Sequence, residues 1–188
     1  MYITLSSGGY YTFGQEEDLD VTIDDIARSL SMIARFNGHV SKFYSVAQHS
    51  VLLSRLAPDD LKMAALLHDA SEAYLGDIVA PLKEYFRANS NNVFFELEEK
   101  LEKHIMSHLS KTHNSTKIDY EKIKEFHETG LDKEIVKLES LLLQTNSKWA
   151  EGTKFSWGNN TELSDSITNS WHQEKAEQEF KKRFLELL

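Results

Sequence analysis

His68, Asp69, Glu72 and Asp77 lie in or just after an apolar helical run, Met63 to Leu75, that also carries Leu66 and Leu67. Burying imidazole and carboxylates beside leucine is costly unless something compensates. A divalent metal ion compensates both, because it takes neutral imidazole nitrogen and carboxylate oxygen together. The competing reading is a helix end whose polar residues turn to solvent. On a helix the pairs His68/Glu72 and Asp69/Glu72 each share a face. His68 and Asp69 point about 100° apart and still converge on an ion lying between them.

A metal needs more ligands than one segment supplies. His49 lies on the apolar stripe Val46, Leu52, Leu53, Leu56 of the preceding helix, and Leu61, Ala64 and Ala65 put His68 on the inward stripe of the next. Packed as neighbours, these helices bring the two histidines together. One inward histidine is usually a hydrogen-bonded core residue; two with an inward Asp favour a metal. Further on, Asp132, Val136, Glu139 and Leu143 share a face. Either acid could be a ligand, and the competing role for Asp132 is to cap the helix that follows Gly130.

The elements that must position these side chains are mostly helical. Residues 2–13 read as a β-hairpin about Gly8-Gly9, and Glu16 to Asp20 as a surface linker. Thr22-Ile-Asp-Asp25 has capping-box character and opens a helix to about Ala34, with Ile23, Ile26, Ala27, Leu30 and Ile33 inward. Arg35-Phe-Asn-Gly-His39 interrupts the pattern. Further helices are predicted at 45–56, from an Asp cap after Pro58 to about Tyr74, from Pro81 to about Arg87, and at 93–109. Others follow at 119–128, 131–144 and 165–187. Asn89–Asn92 and Ser110–Lys117 are predicted loops, and 145–162, with Trp149 and Trp157, an irregular segment. No internal repeat or second-domain boundary is evident. The expectation is an all-α single domain over residues 1–188, a helical bundle with a short N-terminal hairpin.

Bulk properties narrow the function. The 188 residues suffice for a sizeable core. A net charge of −9 argues against a nucleic-acid polymer or a membrane surface as partner, and leaves room for a small anionic substrate. With no cysteine, disulfides, thiolate nucleophiles and Cys-ligated zinc are excluded. The N-terminus shows no signal-peptide pattern and no stretch is long enough to span a membrane, so a cytoplasmic enzyme is expected.

The order His49, His68-Asp69, Asp132 resembles the H…HD…D pattern of the HD-domain metal-dependent phosphohydrolases. The flanking words are similar too: Tyr44-Ser-Val-Ala-Gln-His49-Ser, Leu66-Leu-His-Asp-Ala-Ser-Glu-Ala-Tyr-Leu-Gly-Asp77, and Leu131-Asp-Lys-Glu-Ile-Val-Lys-Leu-Glu139. They resemble the YfbR-like branch, which includes 5′-deoxynucleotidases, and phage enzymes that hydrolyse dATP. The likeness covers roughly 22–144. It implies an HD-domain bundle in which His49, His68, Asp69 and Asp132 hold one divalent ion (Mn²⁺, Co²⁺, Mg²⁺ or Zn²⁺). Glu72 and Asp77 match the family's catalytic acids beside the attacking water. Arg35 with Phe36 matches an Arg–aromatic pair that contacts phosphate and sugar or base, although the deoxynucleotidases often carry Trp where this chain has Phe36. Glu139 matches a recurrent Glu that supports the site without ligating. A homo-oligomer is also implied.

The chemistry expected is hydrolysis of a deoxynucleotide phosphate bond. A bound metal acidifies its water and polarises a phosphoryl oxygen, Glu72 or Asp77 handles the proton, and Arg35 neutralises developing charge. The substrate is a dNMP or a dNTP; a triphosphate needs extra cations, for which Lys42, Lys83 and Arg87 are nearest in sequence. His39 and Lys83 are candidate substrate contacts, with a turn role and a surface position as their alternatives. Tyr74 stacks on a base or fills core. Gln48 supports the site. His104 and His108, among Glu98, Glu99 and Glu102, read as a solvated face rather than a metal pair. The other function classes are a nucleotide-binding regulator without turnover and a phosphodiesterase of cyclic dinucleotides. The latter is disfavoured because its site uses more histidine ligands than His49 and His68.

Overall fold

In a computed structural model the residues described are 1–89, 92–144 and 160–188. Trp149 and Trp157 lie outside them. Strands β1 (Tyr2–Thr4) and β2 (Tyr10–Thr12) pair antiparallel, with Ile3 opposite Tyr11. Gly8, at φ 90°, closes the turn in a conformation that a side chain would oppose. An isolated two-stranded hairpin is marginal in water. Here Asp25 ties it down: Ser6 Oγ and Ser7 N–H donate to Oδ1 at 2.6 and 2.8 Å, and Thr22 Oγ donates to Oδ2 at 3.0 Å. Burial alone would raise the Asp25 carboxyl; these bonds outweigh it and hold the group below its usual 3.8. A depressed carboxylate stabilises above its unfolded pKa and loses that contribution as pH falls. Asp25→Ala is therefore expected to cost about 1–3 kcal/mol near neutral pH, read by urea denaturation, with the gap to wild type closing below about pH 3.8.

The segment after the hairpin is not the expected surface linker. Glu16–Asp18 forms a 3₁₀ turn, and Glu16 is buried, accepting from Tyr11 OH and Gly14 N–H at 3.1 Å each. Helix α1 (Ile23–Met32) starts as read, with Thr22 Oγ accepting the Asp25 N–H.

Helix α2 (Val46–Leu56), capped by Ser45, is buried on all sides from Val46 to Ser54. A helix enclosed in this way is the core of the bundle. Around it pack α1, α3 (Lys62–Leu67), α8 (Leu131–Leu143) and α10 (Gln173–Leu187). The remaining helices are α4 (Glu72–Leu75), α5 (Ala80–Ala88), α6 (Val93–His113), α7 (Tyr120–Glu128) and α9 (Thr161–Thr168). The protein is an all-α bundle with one hairpin among the described residues, and none of its described helices is long and apolar enough to cross a membrane.

Three predicted helices differ from the structure. The one expected from the Asp cap to Tyr74 is broken. Asp59–Leu61 is 3₁₀ without a side-chain cap, Asp59 instead pairing with Lys62, and α3 and α4 are separated by tight turns over His68–Ser71. The His68 ring takes the Ala65 carbonyl at 3.0 Å, and the backbone continues with i→i+3 bonds, Ala70 N–H to Leu67 O and Glu72 N–H to Asp69 O. Helix α6 runs one turn beyond Leu109 to His113, where Asn114 caps it in the left-handed region. The single C-terminal helix expected at 165–187 is two. Gln48 and the Phe43 carbonyl bind the link between them: Gln48 Nε2 donates to Ser166 O and Asn169 O, its Oε1 accepts Trp171 N–H, and Ser170 Oγ donates to Phe43 O.

Candidate metal centre

His49 and His68 present the same nitrogen to one point. On α2, His49 Nδ1 lies 2.7 Å from Glu139 Oε1, which also accepts Tyr44 OH at 2.8 Å. At the end of α3, His68 Nδ1 faces the Ala65 carbonyl, which can only accept. Each Nδ1 is thus occupied, and each Nε2 is turned to the centre, the arrangement that orients a ligating imidazole. His49 Nε2 is 3.2 Å from Asp132 Oδ1 and 3.8 Å from Asp69 Oδ2. His68 Nε2 is 3.1 Å from Asp69 Oδ2 and 3.9 Å from Asp132 Oδ1. Atoms about 2.0–2.2 Å from one ion sit at about such separations from each other.

The donor set passes a test of fit. His49 Nε2, His68 Nε2 and Asp132 Oδ1 are fully buried and make no hydrogen bond. Orphaned polar atoms of this kind are costly, and a cation at the point they share satisfies all three. Among the described residues, His49, His68 and Asp69 lie close enough together to hold an ion. Asp132 is no cap, since α8 begins from Gly130 without a side-chain bond; it reaches across to His49. Burial would raise both aspartates, but His68, Arg35 and His49 pull Asp69 well below the usual carboxylate range, and His49, 3.2 Å away, together with His68 pulls Asp132 down to about 2.

The turns at 68–71 have a second effect. In 3₁₀ geometry residues three apart eclipse, which sets Glu72 over Asp69. Glu72 is buried, and its Oε2 has no hydrogen-bond partner. Burial, then Asp69 and Asp77, push its carboxyl well above the usual range; burial also raises Asp77, against the pull of Arg35. Two carboxyls of raised proton affinity thus stand beside a centre whose own aspartates are held below their usual range.

Arg35 completes the charge balance. Its guanidinium lies 3.3 Å from Asp69 Oδ2 and 3.4 Å from Glu139 Oε2, which keeps it charged despite burial. The following residues are Phe36, Asn37 and Gly38, at φ 55°, 55° and 75°. Left-handed geometry is uncommon for non-glycine residues and a clear outlier for a bulky side chain. It is sustained by the anchored ends of the loop: Arg35 N–H donates to Tyr44 O at 2.9 Å and His39 N–H to Phe36 O at 3.0 Å.

The profile of the family described as 5′-deoxynucleotidase YfbR-like matches residues 27–148. The chain belongs to this YfbR-like family. Two relatives are similar over shorter stretches. The uncharacterized protein YfdR of Escherichia coli (strain K12) is 52% identical over 82 residues, which is 44% of this chain and 46% of that protein. An uncharacterized protein of Rhodobacter capsulatus is 38% identical over 92 residues, 44% of this chain and 45% of its own length. The matched stretch is thus just under half of either relative.

The YfbR-like core contains every ligand candidate, both acids and Arg35. Other expected residues fall elsewhere. Lys83 is half-buried: it pairs with Glu98 at 2.7 Å, within electrostatic reach of Glu72 and Asp69. His39 is exposed, and its backbone serves the turn, its carbonyl accepting from Gln144 at 3.4 Å. Gln48 faces away from the centre, to the C-terminal link. Tyr74 is core, its ring 5.7 Å from that of Tyr11. His104 and His108 are not simply solvated; they bind the Leu19 carbonyl and Asp20. Lys42 bonds Thr168 O, and Arg87 stacks on Phe95 at 4.3 Å.

Sequence reasoning missed Glu102 and His127. Glu102 is turned inward, takes a long bond from Ser71 Oγ, and is pushed up to about 7 by burial and Glu98. The His127 ring lies 5.8 Å from that of His68. Both occur in strongly charged helices, where nothing in the local pattern separates them from solvated neighbours.

Proposed function

We propose that the protein is a metal-dependent phosphohydrolase that removes phosphate from 5′-deoxynucleoside monophosphates. The observation that carries this reading is the clustering of His49 Nε2, His68 Nε2 and Asp69 Oδ2, with Asp132 Oδ1 at 3.2 Å from His49 Nε2 and 3.9 Å from His68 Nε2, three of the four without a hydrogen bond. These four residues would hold one divalent ion, and that ion, when bound, supplies Lewis-acid polarisation of a phosphoryl oxygen and an acidified water. Glu72 orients the attacking water and takes its proton, with Asp77 beside it. The water oxygen bonds to phosphorus, the P–O5′ bond breaks, and the leaving oxygen takes a proton, releasing nucleoside and inorganic phosphate. Arg35 faces the negative charge that develops on the phosphoryl oxygens, and Phe36, fixed in its left-handed turn, meets the sugar or base.

The monophosphate is favoured over the triphosphate by the cations. Lys42, Lys83 and Arg87 are the side chains that a polyphosphate tail would need, and each is engaged with the protein itself. Family membership supports the same substrate class. A soluble homo-oligomer is part of this reading.

The test is a panel of dNMPs, dNTPs, ribonucleotides and cyclic dinucleotides incubated with Mn²⁺, Co²⁺ or Mg²⁺, with products resolved by chromatography. Nucleoside and phosphate from dNMPs are expected, abolished by chelation of the metal or by His68→Ala. Tripolyphosphate released from a dNTP would move the assignment to a triphosphohydrolase. No turnover by either wild type or His68→Ala would sink the enzyme reading.

A further inference from the structure

We propose that His127 contacts the phosphoryl group of the substrate, donating a ring N–H to an oxygen that projects from the metal centre toward solvent. The proposal rests on the phosphohydrolase reading above and adds a residue to it. Its basis is the disposition of α7. That helix packs on α3, so that its last turn lies against His68. Two consecutive side chains there meet the imidazole in different ways. Phe126, fully buried with its ring 5.3 Å away, backs it, whereas His127, 5.8 Å away, is exposed.

The inner side of the centre is closed by Tyr44, Glu139 and Phe126, all fully buried. A phosphoryl group arriving from solution therefore extends outward, past the side chains that surround the opening. His127 belongs to that rim, since it is exposed and its ring lies 5.8 Å from that of His68. The rim's acids, Glu72 and Asp77, offer a phosphate no donor when ionised. Of its donors, Arg35 is shared between Asp69 and Glu139, and Lys83 is held by Glu98. The ring nitrogens of His127 make no hydrogen bond or ion pair among the described residues. Imidazole carries an N–H in every protonation state it adopts in water near neutrality, so His127 is a donor with nothing yet to hold. The bland role for the residue is a cationic side chain complementing the C-terminus of α7. That role affects helix stability and has no bearing on an anion at the metal centre.

Calorimetric titration of inorganic phosphate into the Mn²⁺-loaded full chain separates the two. His127→Ala is expected to weaken phosphate binding about tenfold or more, the range for a hydrogen bond to a charged group. Mn²⁺ affinity and melting temperature should stay at wild-type values. His127→Gln, which keeps an N–H donor, should restore part of the loss, and kcat/KM for a dNMP should follow the same order. Phosphate affinity unchanged in His127→Ala overturns the proposal, as does failure of Mn²⁺-loaded wild type to bind phosphate. Loss of Mn²⁺ affinity in His127→Ala also overturns it, by making the residue a metal ligand. Phosphate bound through His127 without turnover of any nucleotide would support this contact while removing the hydrolase reading, so the two fail separately.

Discussion

Glu139→Ala is expected to lower the affinity of the centre for a divalent ion by about 10- to 100-fold and to destabilise the metal-free protein by about 3 kcal/mol or more. The carboxylate is completely enclosed and serves three groups at once: His49 Nδ1 at 2.7 Å, Tyr44 OH at 2.8 Å and Arg35 Nε at 3.4 Å. Without it His49 loses the acceptor that keeps Nε2 turned to the centre, and Arg35 is left buried with Asp69 as its remaining close counter-charge. Glu139→Gln separates the two effects, because an amide oxygen still accepts from His49 while the charge opposite Arg35 is gone. Calorimetry of Mn²⁺ binding and thermal unfolding of the metal-free protein give both quantities. Metal affinity equal to wild type in both variants would rule out an orienting role for Glu139.

Glu72→Gln is expected to reduce kcat for dNMP hydrolysis by about 10²- to 10⁴-fold, the range for a positioned general base, with KM and metal affinity little changed. Burial, and after it the neighbouring Asp69 and Asp77, push its proton affinity well above the usual range. A base with a raised pKa is lost as pH falls through that pKa. The acid limb of the wild-type rate profile should therefore lie above 4.5, and the residual rate of Glu72→Gln should lack that limb. Activity within a few-fold of wild type would transfer the proton-handling role to Asp77. Steady-state kinetics across pH decides.

The inward placement of His49 and His68 was legible because each is a polar residue on an otherwise apolar stripe; on the later stripe spacing left Asp132 and Glu139 as equal candidates, and only the resemblance pointed to Asp132. The break between α3 and α4 was not. Ala-Leu-Leu-His-Asp-Ala-Ser-Glu-Ala has good helical propensity throughout, and the interruption arises from the His68 ring competing for a backbone carbonyl. Propensity also joined α9 to α10, because the link is fixed by Gln48 and Phe43, far away in the chain. Glu16 read as solvated for the same reason: its burial depends on the Tyr11 hydroxyl reaching it. His127 carries no sequence signal, since its role depends on which face of a charged helix meets α3. Spacing reports the faces of single elements; it is silent where one side chain reorganises the backbone of another.

Gln48 and His49 are neighbours on α2, yet their partners enter the chain far apart. Glu139 follows His49 by 90 residues, and the Trp171 amide follows Gln48 by 123. During synthesis, a nascent chain that has completed α2 and α3 holds both histidines and Asp69 without the acceptor that orients His49. The centre then waits for α8, and α2 waits longer still for the segment that clamps its other side. Contacts of such long sequence separation form slowly, so the oriented His49 is a late product of folding, set only when α8 has docked on α2.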